Sequence, residues 1–147
     1  MKGEYGEFIN INEEDKKYFH IYFNDNKKKE IENTSLYEDD NVSKISIIID
    51  YQIKSFSELF CNCECIKSIK FKKFYRNNVN DMSGMFRGCS SLKELNLNNF
   101  NTNNVTDMSY MFYGCLDELK LKIKSQFKNF KEEAFDDYIF IKNNKII

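Results

Sequence analysis

The chain has 147 residues, enough for one domain with a modest core. Its 22 Lys and Arg against 23 Asp and Glu leave a net charge of −1, so no bulk field gathers nucleic acid or an acidic membrane. Aromatic residues make up 16%, which excludes a generically disordered chain and argues for a packed core.

Residues 1–52 read as a β-rich N-terminal cap. The start, Met1-Lys2-Gly3-Glu4-Tyr5-Gly6-Glu7, lacks the apolar stretch of a signal peptide, and no apolar run reaches membrane-spanning length. As written, the chain is expected to be cytoplasmic. A cell-surface location is expected instead if it is a piece of a longer secreted protein. Tyr18-Phe19-His20-Ile21-Tyr22-Phe23 predicts a strand, followed by the turn-prone Asn24-Asp25-Asn26. Val42 to Ile53 predicts a second, longer strand region. His20, the sole histidine, lies in the aromatic strand and reads as packing, or as exposed on an alternating face, before it reads as catalytic.

Residues 53–121 repeat. Val79-Asn80-Asp81-Met82-Ser83-Gly84-Met85-Phe86-Arg87-Gly88-Cys89 returns 26 residues later as Val105-Thr106-Asp107-Met108-Ser109-Tyr110-Met111-Phe112-Tyr113-Gly114-Cys115. A more divergent copy precedes both, Ile53-Lys54-Ser55-Phe56-Ser57-Glu58-Leu59-Phe60-Cys61-Asn62-Cys63. Such a period marks stacked repeats. Ser55, Asp81 and Asp107 share a column and suit a helix N-cap, and Ser55 with Glu58 has capping-box spacing. Asn62, Gly88 and Gly114 share another and suit the left-handed residue that stops a helix. One short helical turn per copy is predicted, with Leu59-Phe60, Met85-Phe86 and Met111-Phe112 facing inward.

A strand is predicted to follow each turn. Ile66-x-x-Ile69-x-Phe71, Leu92-x-x-Leu95-x-Leu97 and Leu116-x-x-Leu119-x-Leu121 share one frame. The third comes two residues early, because Cys115 runs straight into Leu116 where Ser90-Ser91 follow Cys89. Val42-x-x-Ile45-x-Ile47 fits as a still earlier rung. Residues 122–147 then read as a C-terminal cap, with Phe127, Phe130, Ala134 and Phe135 at helical spacing, a stop at Asp136-Asp137, and a strand at Tyr138-Ile139-Phe140-Ile141.

The units NNVNDMSGMFRGCSSLKELNLNNFNT and NNVTDMSYMFYGC resemble the BspA-type leucine-rich-repeat family of bacterial and mycoplasmal surface proteins and many protists. The resemblance is specific over residues 77–115 and fair over 53–76. It implies a leucine-rich-repeat-like fold and adhesion or protein–protein contact, with no catalytic residues. The expected fold is therefore α/β: a short solenoid of about three rungs, with parallel strands and short helical turns, capped at both ends.

Cys61-Asn62-Cys63-Glu64-Cys65 is the sharpest chemical candidate, since close thiolates bind soft metals. Against it, C-x-C-x-C lacks the usual spacing, no second cluster follows, and Cys63, Cys89 and Cys115 share a repeat column where small apolar thiols stack. The run from Lys67 to Arg76 mixes basic and aromatic residues as single-strand binders do, but Phe71 and Phe74 match the core positions Leu97 and Phe100. The recurring Met82, Met85, Met108 and Met111 also read as core.

A third candidate is the outward strand face. Residues flanking the second and third apolar positions stack as Ser68, Lys70 and Lys72, then Glu94, Asn96 and Asn98, then Glu118, Lys120 and Lys122. They are either the solvated side of a sheet or a recognition surface. The functional expectation is a non-catalytic protein-interaction or adhesion module. It would take a protein or peptide ligand on that face, with no cofactor, nucleic acid or membrane insertion. The alternative is a metal- or redox-responsive protein acting through Cys61, Cys63 and Cys65.

Overall fold

The computed structural model describes residues 4–74 and 76–135. In the lead-in, β1 (Glu4–Glu7) pairs antiparallel with β3 (Ser35–Tyr37), and β2 (Phe19–Phe23) pairs antiparallel with β4 (Ile45–Ile49). The register Phe19↔Ile49 through Phe23↔Ile45 buries Phe19 and Ile21 on one face, as strand alternation requires. Asn24 leaves β2 with φ 51°, and its side-chain carbonyl accepts the N–H of Ser43 at 2.9 Å, so the turn is fastened to the start of β4. The segment around Val42 is thus no earlier rung of the repeat. Its strand runs antiparallel to β2 and, among the described residues, pairs with no strand of the repeat region.

The three repeat copies stack through their turns. Phe56, Glu58, Phe60 and Asn62 donate their N–H groups to the carbonyls of Asp81, Ser83, Met85 and Arg87 at 2.7–2.9 Å. Met82, Gly84, Phe86 and Gly88 donate in the same register to Asp107, Ser109, Met111 and Tyr113 at 2.7–3.0 Å. The N–H groups between them stay within the copy: Leu59, Cys61 and Cys63 bond the carbonyls of Phe56, Glu58 and Phe60. Alternate amides therefore point sideways, which no α-helix allows.

Backbone handedness explains the alternation. Asn62, Gly88 and Gly114 have φ of 58°, 72° and 72°, as their column implies. A second left-handed column, Glu58, Gly84 and Tyr110 at 56°, 60° and 57°, lies four residues earlier. Two left-handed residues four apart break any helix, so the expected short helices are chains of tight turns. The capping column works locally instead: Ser55, Asp81 and Asp107 each accept the N–H two residues on, at 3.1, 2.9 and 2.9 Å. Glu58 reaches Arg87 at 2.7 Å rather than closing a capping box.

The expected solenoid is overturned on the strand side as well. Only β5 (Ser68–Lys70) and β6 (Glu94–Asn96) pair in parallel, three residues each, and no third strand joins them among the described residues. Much of the rest lies in turns and irregular segments, so the described residues form neither a parallel strand ladder nor a leucine-rich-repeat solenoid. The predicted third strand is instead helical, within α1 (Asp117–Gln126). Asp117 and Glu118 favour a helix start, and Leu119 with Ile123 gives one buried face at i, i+4. Leu121, assigned to a buried strand position, is 68% exposed. The helix expected over residues 125–135 is reduced to the end of α1 and one 3-10 turn at Glu132–Ala134. The expected stop at Asp136-Asp137 and strand at Tyr138–Ile141 lie outside the described residues.

The core is a set of side-chain columns. Phe60, Phe86, Phe112 and Phe135 stack at centroid spacings of 5.8, 5.8 and 5.0 Å. Both ends of the turn stack are closed by backbone from outside it. Asn10 donates its N–H to Leu59 (2.8 Å) and its amide to Cys61 (2.8 Å) and Glu58 (3.0 Å); the Leu59 and Cys61 carbonyls are ones that a preceding copy would bond. At the far end Tyr110 and Phe112 donate to Glu133 and Ala134. Arg76 ties the lead-in to the stack. Its guanidinium donates to the carbonyls of Ile49, Asp50 and Ile53 and lies 5.6 Å from the Phe56 ring centroid.

A Cβ added at Gly88 would stand 2.0 Å from Asn62 Oδ1, whereas one at Gly84 meets nothing closer than 3.4 Å. Both sites are left-handed, so Gly84→Ala should cost about 1 kcal/mol and Gly88→Ala about 2 kcal/mol or more, read by urea denaturation. Equal losses would show that the contact between Asn62 and Gly88 does not constrain the stack.

Candidate functional site

Because the third copy becomes a helix, α1 stands beside the outer face of β5 and β6. The two enclose an open groove of about 330 Å³. Six of the nine predicted face residues line it: Ser68 and Lys70 from β5, Glu94 and Asn96 from β6, Asn98 beyond it, and Lys122 from α1. The other three do not. Lys72 and Glu118 are exposed elsewhere, and Lys120 packs back on its helix, 14% exposed, with Asp117 at 3.1 Å.

Gln126 and Phe127 also line the groove, and strand-based reasoning missed both. The signal was there in helical form, since Leu119 and Ile123 fix the buried face and place Lys122 and Gln126 together on its flank. Lys70, Lys122 and Glu94 have no ion pair among the described residues, while Lys16, Lys44, Arg87 and Lys124 each face a carboxylate. The groove therefore presents two open cations, one open anion and several amide or hydroxyl groups.

A second hollow of about 280 Å³ lies at the start of the turn stack, near Asn10, Asp15, Ser55 and Ser57. Its Asn10 and serine groups already have partners. The Asn10 amide serves two carbonyls, and Ser57 Oγ lies 2.9 Å from Ser83 Oγ.

The fold buries four of the five cysteines and half-buries Cys65. Cys63, Cys89 and Cys115 are buried in successive copies, and the Cys89 and Cys115 thiols donate to the carbonyls of Phe60 and Phe86 at 3.0 and 3.1 Å. Burial pushes Cys89 up to about 12 and Cys115 up to about 11, and raises Cys63 as well. Cys61 is buried, and Cys65 leans on β1, its thiol 3.2 Å from the Glu7 carbonyl and its pKa also raised by burial. Metal binding and redox chemistry need thiolates, which this environment disfavours for Cys63 and Cys65. Among the described residues no three or more His, Cys, Asp or Glu side chains are placed to hold a metal ion.

The basic and aromatic run is likewise dismantled. Phe74 is buried and stacks on Phe100 at 4.5 Å, Phe71 packs edge-on to Phe100 at 4.9 Å, and Arg76 is committed to three carbonyls. Phe71 and Phe74 thus leave no platform for bases, and Tyr75 of the same run lies outside the described residues. His20 bridges the lead-in, with Nδ1 2.9 Å from Glu30 and Nε2 3.4 Å from Asp50. Those bonds, Glu30 first, raise its pKa above the usual 6.5.

A fold of this kind defines a class: a small repeat protein whose 26-residue units stack through tight turns and leave one short strand face open. The chain belongs to the family described as Mycoplasma protein of unknown function, DUF285, whose model matches residues 22–139. No curated protein and no solved structure matches it. Among the described residues no helix is long and apolar enough to cross a membrane.

Two measurements follow from the thiols and the histidine. Cys63, Cys89 and Cys115 should react with a thiol reagent at neutral pH only as fast as the protein unfolds, and rapid native labelling of all three would contradict their burial. Because the folded pKa of His20 is raised, its contribution to stability is complete below about pH 6.5 and is lost as pH climbs through the raised value. The melting-temperature gap between wild type and His20→Gln should therefore be wider near pH 6 than near pH 9. A gap that widens with pH would mean that the two carboxylates do not stabilise the imidazolium.

Proposed function

We propose that this protein is a non-catalytic interaction module that captures a protein or peptide on the open face of β5 and β6, against α1. The observation that carries this reading is the groove itself, which gathers six of the nine predicted face residues, with Lys70, Lys122 and Glu94 facing no ionic partner among the described residues. Uncompensated charges beside hydroxyl and amide groups select for a complementary polar surface more than they add to folding. Two cations against one anion favour a ligand carrying acidic side chains. The repeat units resemble those of adhesive surface proteins, which supports contact with another protein over catalysis.

Lys70→Glu combined with Lys122→Glu should abolish capture of the partner from the source cell's extract. The melting temperature should change little, because exposed charges contribute about 1 kcal/mol or less each. Capture of the same proteins at the same yield by wild type and double variant would remove this face from consideration.

A further inference from the structure

Among the described residues, the edge of β6 away from β5 has no strand beside it. The Glu94 N–H bonds the Lys67 carbonyl, and the Asn96 carbonyl accepts the Phe71 N–H, so these two residues turn their backbone groups toward β5. Along a strand consecutive residues face opposite edges, and the N–H and C=O of Leu95 therefore point away from β5. No strand meets them among the described residues, and neither group has a backbone partner there. The turn side behaves differently at the same boundary. There Met82, Gly84, Phe86 and Gly88 are all bonded to the third copy. Hydrogen bonding thus runs through three copies at the turns but stops after two at the strands, where the chain leaves Cys115 without the Ser90-Ser91 equivalent and enters α1.

We infer, resting on the interaction reading above, that the ligand is an extended peptide segment that adds to β6 as the missing strand. Leu95 supplies one backbone donor and one acceptor to it. A strand at the usual spacing of about 4.8 Å would lie in the groove between β6 and α1. Its side chains alternate. Those on the outer face meet Lys70 and Lys122 and are acidic, and those between meet the half-buried Leu95 and Phe127 and are apolar. The apolar inner side at Leu95 and Phe127 disfavours an unbroken run of acids, so the chemistry selected is an alternating acidic and apolar strand.

The probe is a fluorescein-labelled hexapeptide of alternating glutamate and valine, titrated against the full chain by fluorescence polarisation. Two further peptides carry N-methyl groups on one or the other alternate set of amides. Wild type should bind the unmethylated peptide. Methylation of one set should weaken binding about tenfold or more, and methylation of the other should have little effect, since only one set faces β6. Leu95→Pro, which removes the edge donor, should cost a similar factor. If that variant folds poorly, Lys122→Glu should weaken the acidic peptide while leaving an alternating glutamine and valine peptide unchanged. Equal effects of the two methylated sets overturn the strand mode. So does an absence of binding to the full chain, including one caused by a second copy occupying the edge, which sedimentation would register as a dimer. If Lys70 and Lys122 still govern capture from extract while the methylated peptides behave alike, the strand mode falls and the interaction face stands. If charge reversal leaves capture intact, the face itself falls.

Discussion

Sideways hydrogen bonding by alternate amides in the repeat turns is the constraint on which the rest of this structure depends. Within each copy one N–H closes a tight turn and the next leaves to bond the neighbouring copy. That alternation requires left-handed residues at Glu58 and Asn62, at Gly84 and Gly88, and at Tyr110 and Gly114. Left-handed backbone is costly for Glu58 and Tyr110, so the lateral bonds and the buried columns must hold it in place. Stacking in register also sets phenylalanine over phenylalanine and thiol over carbonyl, which makes backbone pairing and core packing a single event.

A stack of this kind has two ends that need partners for their backbone groups. At the first copy, Asn10 alone meets three carbonyls with its N–H and its amide. At the third, Glu133 and Ala134 accept the outward amides, and Phe135 extends the ring column. Arg76 works between these closures. Burial lowers its pKa, yet three carbonyls and two ring faces compensate the half-buried charge.

The groove is a product of the same arithmetic carried one step too short. The third copy lacks two residues after its cysteine, so its next segment cannot lie in the strand position and folds as α1 instead. The helix buries Leu119 and Ile123 against the core and, among the described residues, leaves the edge of β6 without a neighbouring strand, with Lys122 on the facing wall. The candidate site therefore owes its shape to a departure from the repeat, and its chemistry to surface residues that the core does not constrain.

Sequence periodicity determined the 26-residue stacking, the left-handed column at Asn62, Gly88 and Gly114, and the inward Phe, Met and Cys columns, because each depends on residue type repeating at one position. It also marked most of the outward face, through the alternation of Ser68 with Lys70 and Glu94 with Asn96. It could not show the second left-handed column, since Glu58 and Tyr110 have no intrinsic preference for that conformation and adopt it only when a neighbour accepts their amides. Nor could it choose between strand and helix for Leu116 to Leu121, where one apolar pattern satisfies both. That choice fell to the missing two residues and to the buried face completed by Ile123, four positions beyond Leu119. Likewise β4 fits the repeat frame by pattern, but pairing with β2 buries Ile21 and ties it to the lead-in. Local pattern fixes which side chains seek the interior, and only the assembled chain fixes which backbone groups find partners.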